Sequence, residues 1–227
     1  MYGYLFGPVP SRRLGRSLGV DLVPAKTCCL DCVYCESGGT TALTALRREY
    51  VPTDEVIAEL DGFLSGAPSL DYITFSGAGE PTLHSGIGRI IRHIKEGYPR
   101  YNICLLTNGC LLGDDALIEE LRQLDLIIPS LDAADEAAFR RINRPAPGLS
   151  QKEVLAAIVK FRKSCRVTMW LEIFIVPGLN DTPDSIAAFK EAVSQIMPDK
   201  IELNTLDRPG TEGWVQKAGA DSVGRFK

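Results

Sequence analysis

The chain has 227 residues, 45% of them apolar and 24% charged, with a net charge of −4, a mixture that supports one large domain holding its own core without crosslinks. The acidic balance argues against a general grip on phosphate backbones, which needs a basic face. No apolar run approaches membrane thickness, and the opening MYGYLFGPVPSRRLG lacks the basic-then-apolar order of a signal peptide. A cytoplasmic, reducing location with no membrane partner is therefore expected, where clustered thiols stay free for metal.

The first β-prone run is LGVDLV, 18–23, preceded by PSRRLGRS with Arg12, Arg13 and Arg16. KTCCLDCVYCE, 26–36, follows at once. Val56, Leu60, Phe63 and Leu64 then fall at i, i+4, i+7 and i+8, a helical face behind a Thr53 cap. DYITFS, 71–76, reads as the second strand and runs into SGAGEP. Ile87, Ile90, Ile91 and Ile94 repeat the helical pattern before NICLLT, 102–107, which ends in TNG. Leu117, Leu121 and Leu124 lead to DLIIPSL, 125–131, and FRRINRP then adds Arg140, Arg141 and Arg144. Leu155, Ile158 and Val159 form the next stripe, ahead of VTMWLEIFIV, 167–176. Thr182 caps a helix bearing Ile186, Phe189, Val193 and Ile196, and KIELNT, 200–205, is the sixth strand.

Six apolar strands alternating with helices predict an α/β fold with a parallel sheet and right-handed crossovers. Six units are too few for a closed eight-stranded barrel, so an open sheet or a partial (β/α)6 TIM-like barrel is expected, with ligands at the carboxyl ends of the strands. Residues 1–206 form the expected core domain. Residues 207–227, rich in Gly and polar side chains, read as a loose C-terminal extension.

The loop after the first strand holds Cys28, Cys29, Cys32 and Cys35, four of the chain's seven cysteines. Structural zinc takes two close pairs set apart, whereas Cys104, Cys110 and Cys165 stand alone. A ferredoxin register, Cys29-x2-Cys32-x2-Cys35, expects a further Cys-Pro, which the chain lacks. The register Cys28-x3-Cys32-x2-Cys35 gives three soft thiolates, enough for three irons of a four-iron cluster.

C-x3-C-x2-C with Tyr34 before its last cysteine resembles the signature of the radical S-adenosylmethionine (SAM) superfamily. FSGAGEPTLH resembles that family's glycine–glycine–glutamate motif, and LTNG and SLD stand at its third and fourth strand ends. The wider string, with NRP, LND and DRP, is similar to a subgroup of iron–sulfur oxidoreductases distantly related to wyosine-base synthases; the resemblance spans 7–206. It implies that Cys28, Cys32 and Cys35 carry a 4Fe-4S cluster and the catalysis. SAM, chelating the open iron, would be reductively cleaved to a 5′-deoxyadenosyl radical that abstracts hydrogen from substrate. Tyr34 would lie near the cluster, Gly77, Gly79 and Glu80 would receive the methionine ammonium, and Thr107, Asn108, Ser130 and Asp132 would meet the SAM carboxylate and ribose. Glu172 and Val176 on the fifth strand fall near the adenine position, where Phe174 replaces the family's glycine. Arg13, Arg144 and Asn204 are candidate substrate contacts, guanidinium forks being suited to phosphate and carboxylate. The implied partners are an electron donor such as flavodoxin or ferredoxin and a substrate that is a small molecule, a peptide or tRNA. The alternative reading is a zinc-stabilised anion- or RNA-binding module without redox chemistry.

Overall fold

The computed structural model describes residues 3–226. One sheet of seven strands organises them, in the order β1 (Leu5–Ser11), β2 (Gly15–Val20), β5 (Tyr72–Phe75), β6 (Asn102–Thr107), β7 (Leu126–Pro129), β8 (Thr168–Phe174) and β9 (Lys200–Asn204). The six strands β2 to β9 run parallel, and β1 joins antiparallel to β2. β1 and β9 are the two edges, so the sheet does not close and forms a partial barrel. A two-stranded ribbon, β3 (Thr27–Cys28) with β4 (Ala42–Leu43), lies inside the cysteine loop.

Helices α1 (Thr53–Leu64), α2 (Ile87–Gly97), α3 (Asp115–Leu121), α4 (Glu136–Ile142), α5 (Gln151–Ser164) and α6 (Pro183–Ile196) fill the crossovers, and the short α7 (Ala220–Gly224) ends the described chain. Their apolar faces and the residues Ile73, Phe75, Ile103, Leu105, Ile127, Leu171 and Ile173 make one continuous core. The opposite sheet face holds a much smaller cluster, Leu14 over Cys104, Leu126 and Ile128, flanked by Tyr72, Leu106 and Trp170. Side-chain caps fix the helix starts: Asp114, Asp135 and Thr182 accept from Leu117, Ala138 and Ser185 N–H, and Ser150 with Glu153 closes a capping box.

The six expected strands are all present, and four local features differ from the expectation. β1 escapes the sequence pattern because Pro8 and Pro10 interrupt its alternation, which an edge strand tolerates. Thr53 is the first helical residue of α1, not its cap: its hydroxyl donates to Glu49, and Pro52 precedes it. On α5 the buried line is Val154, Ala157, Ile158 and Phe161, with Leu155 and Val159 half-buried on its flank. α4 is an added element, seven residues whose charged sequence EAAFRRI hides its buried Ala138, Phe139 and Ile142.

Candidate functional site

The cysteine loop leaves the carboxyl end of β2 and is clamped by the turn after α4. Asp31 and Val33 donate their N–H groups to Asn143 and Ile142 carbonyls, and Ala146 N–H donates to Cys29 O. These bonds hold the loop against the carbonyls that the last turn of a helix leaves without partners.

Cys29 and its neighbour Cys28 differ in burial. Cys29 is fully buried and its thiol meets Cys110, whereas Cys28, Cys32 and Cys35 are half-buried at the rim. Each of those three sulfurs has its own side-chain N–H donor. Asn108 Nδ2 lies 3.5 Å from Cys28 Sγ, Asn143 Nδ2 lies 3.3 Å from Cys32 Sγ, and Lys26 Nζ lies 2.9 Å from Cys35 Sγ. Burial, with the nearby Glu80 carboxylate, pushes the Cys28 thiol up to about 12; burial and Asp132 likewise raise Cys32. As metal-free thiols they are held protonated, and a bound cation would be needed to draw the protons off. Among the described residues no three His, Cys, Asp or Glu side chains close around a single metal ion.

Behind the cysteines, SGAGEP crosses the end of β5. Gly77 has φ +152°, and a Cβ there would lie 2.2 Å from the Asp21 carboxylate; one on Gly79 would lie 2.0 Å from Thr27 O. The absence of side chains thus lets this turn dock on β3, where Glu80 N–H donates to Thr27 O. Glu80 is 2% exposed and meets four donors. Its Oε1 accepts from Thr82 N, Thr82 Oγ1 and Thr107 Oγ1, and its Oε2 accepts from Asn108 N at 2.7 Å. Burial raises its pKa against the pull of these donors. Oε2 carries one bond where Oε1 carries three, so its second lone pair is the freer acceptor.

A second polar cluster spans the ends of β7 and β8. Asp132 is 3% exposed and accepts from Tyr34 OH, from Asn143 Nδ2 at 2.9 Å and from Phe174 N at 3.0 Å. Burial nevertheless raises its carboxyl to about 6. The Tyr34 ring stacks on Phe174, centroids 3.8 Å apart and planes 9° from parallel. Asn180, fully buried, donates to Asp132 O and Phe174 O and accepts from Val176 N, which ties β8's end to β7's. Ser130 N–H donates to Thr107 O and brings its half-buried hydroxyl between the two clusters.

The arginines expected to face substrate have carboxylate partners. Arg13 pairs with Glu172, which also lies 3.5 Å from Asn204 Nδ2, and Arg144 pairs with Glu212 at 2.6 Å. Glu172 and Asn204 border an open cleft of about 680 Å³ that includes Tyr34, Cys35, Phe174 and Arg12. Composition marks residues 207–227 as loose, yet 207–213 are strapped across the cysteine loop. Glu36 accepts from Asp207 N, Arg208 N and Arg208 Nε; Thr211 Oγ1 donates to Cys35 O; Glu212 N donates to Val33 O. The polar residues of this segment make specific bonds that its glycine content conceals. Lys26, Asn143 and Asn180 are the site residues that sequence reasoning left without a role, although KTC, NRP and LND all stand in the motif string.

A family model described as the radical SAM superfamily matches residues 22–189. A protein named GTPase Obg from Brachyspira hyodysenteriae is 36% identical over 204 residues, 90% of this chain and 30% of that protein. A UPF0026 protein of Methanocaldococcus jannaschii is 33% identical over 215 residues, 93% of this chain and 66% of that protein. The chain thus spans less than two thirds of either relative. Among solved structures, a radical SAM methyltransferase from Sphaerobacter thermophilus superposes with a TM-score of 0.67 at 18% identity, covering 92% of this chain and 61% of its own. The wyosine synthase TYW1, solved with a lysine–pyruvate adduct, superposes at 0.58 and 17%, covering 85% of this chain and 65% of its own. At such identities these superpositions establish the shared fold.

Proposed function

The chain belongs to the radical SAM superfamily, and from that premise we propose that it is an enzyme holding one 4Fe-4S cluster on Cys28, Cys32 and Cys35 and one SAM beside it. When bound, that pair supplies an electron and a 5′-deoxyadenosyl radical for hydrogen abstraction from substrate. The donor set suits the group: three soft thiols, each facing a separate N–H donor and not converging on one ion, as sulfurs serving different irons require. A closed zinc tetrahedron asks for the opposite arrangement.

In this reading the chain's own residues divide the work. Glu80 Oε2 and the carbonyls of Gly77 and Gly79 receive the methionine ammonium. Thr107, Asn108 and Ser130 offer hydroxyl and amide donors to its carboxylate, and Asp132 accepts from ribose hydroxyls. Glu172 and Val176 border the adenine, and the stacked Tyr34 and Phe174 rings exclude water from the cluster side. Substrate enters along the cleft bordered by Glu172 and Asn204; an external reductant supplies the electron.

The observation that carries the reading is the presentation of three rim thiols while the adjacent Cys29 is withdrawn against Cys110. Anaerobic reconstitution with iron and sulfide should give a brown, air-sensitive protein with about four irons per chain. With SAM and a strong reductant it should release 5′-deoxyadenosine. A colourless protein retaining one zinc, or an iron protein that leaves SAM intact, would overturn the proposal.

A further inference from the structure

Lys26 is 8% exposed, and its ammonium lies 2.9 Å from Cys35 Sγ. Among the described residues it forms no ion pair with a carboxylate; Asp21 is close enough to feel its charge but not to bond it. A buried ammonium is costly unless it is hydrogen-bonded, and its side-chain partner among the described residues is the Cys35 sulfur.

The other two rim thiols are served differently. Asn108 and Asn143 offer neutral amides to Cys28 and Cys32, at 3.5 and 3.3 Å. The three sulfurs thus have one donor each, and one of the three donors carries a full charge. Hydrogen bonds to the sulfurs and nearby charge set an iron–sulfur site's readiness to accept an electron. A fixed positive charge favours the more negative, reduced state.

We propose that Lys26 is a positioning residue that raises the reduction potential of the cluster through Cys35, with Asn143 as its weaker neutral counterpart at Cys32. This rests on the cluster assignment proposed above. Its effect is to bring the site within reach of a mild physiological reductant before SAM arrives.

The test uses the full chain, reconstituted anaerobically without SAM, with a reductive titration followed by electron paramagnetic resonance. Lys26→Met should keep about four irons but be about tenfold harder to reduce, a midpoint about 59 mV more negative for a one-electron couple. Lys26→Arg should match wild type, and Lys26→Gln, a donor without charge, should fall between. Asn143→Ser should shift the same way by less. An unchanged midpoint in Lys26→Met overturns the proposal. If Lys26→Met takes up no iron, the Gln and Arg variants carry the comparison, and equal midpoints for those two overturn it. Wild-type chain that binds no iron overturns the cluster assignment itself, so the two failures are distinguishable.

Discussion

On the helix-covered face of the sheet, Ile73, Phe75, Ile103, Leu105, Ile127, Leu171 and Ile173 sink into one core with the apolar sides of the helices. The same strands, one residue out of step, present to the other face a Ser17–Thr74 hydroxyl pair, Cys104, Leu106, Ile128, Trp170 and Glu172. The two-residue pleat thus sorts the side chains: one face supplies cohesion, the other supplies polar groups that rise toward the carboxyl rim. Stability and chemistry should therefore respond to different substitutions on neighbouring positions.

The largest expected effect lies at the rim, where two adjacent thiols differ in burial. Cys28→Ala should abolish iron uptake, as should Cys32→Ala and Cys35→Ala, whereas Cys29→Ala should retain iron and lose about 1 kcal/mol of stability. Iron analysis and urea unfolding check both halves, and loss of iron in Cys29→Ala would erase the distinction.

Next comes the core itself. Phe75→Ala, fully buried on the helix side, should cost about 3–5 kcal/mol. Glu172→Gln on the other face, at a partly buried ion pair that keeps some solvent contact, should cost less than Phe75→Ala, about 1 kcal/mol, while altering turnover. Denaturant midpoints set beside 5′-deoxyadenosine release would show the crossover; equal destabilisation by both would break the comparison.

Asp132 gives the third test. Its carboxyl rises from 3.8 unfolded to about 6 folded, so the folded state holds its proton longer than the unfolded chain does. Its contribution is fully present below 3.8 and is lost as pH rises through about 6. Asp132→Asn should therefore gain up to about 3 kcal/mol over wild type at neutral pH, with the gap closing toward pH 4. Stability measured from pH 4 to 8 would reveal a flat difference if the burial argument fails.

The smallest effect belongs to the helix side's periphery. Thr182→Ala removes the hydroxyl that accepts from Ser185 N at 3.2 Å and should cost about 1 kcal/mol without touching iron content.

What the sequence made legible follows from how each feature is encoded. The central strands β5, β6 and β7 are buried almost throughout, so they read as near-continuous apolar runs. The cysteines and Glu80 sit in contiguous motifs whose spacing is itself the signal. β1 was illegible because two prolines break its alternation, and α4 because its three buried residues are matched by three charges in a seven-residue run. Asn143 meets Cys32 across 111 positions of sequence, and Asn180 meets Asp132 across 48. No local pattern announces such contacts: a single polar residue in a turn looks the same whether it faces water or a thiol. The bonds that the tail's first residues make are hidden for the same reason, since Glu36 reaches its partners across 171 and 172 positions.

The strap from Asp207 to Glu212 hangs on the very backbone that carries Val33, Cys35 and Glu36. Thermodynamic reciprocity follows: whatever tightens the cysteine loop, the cluster proposed above included, must by the same factor discourage the tail from peeling away. A protease nicking at Gly210 and an iron chelator would then be two hands pulling on one knot.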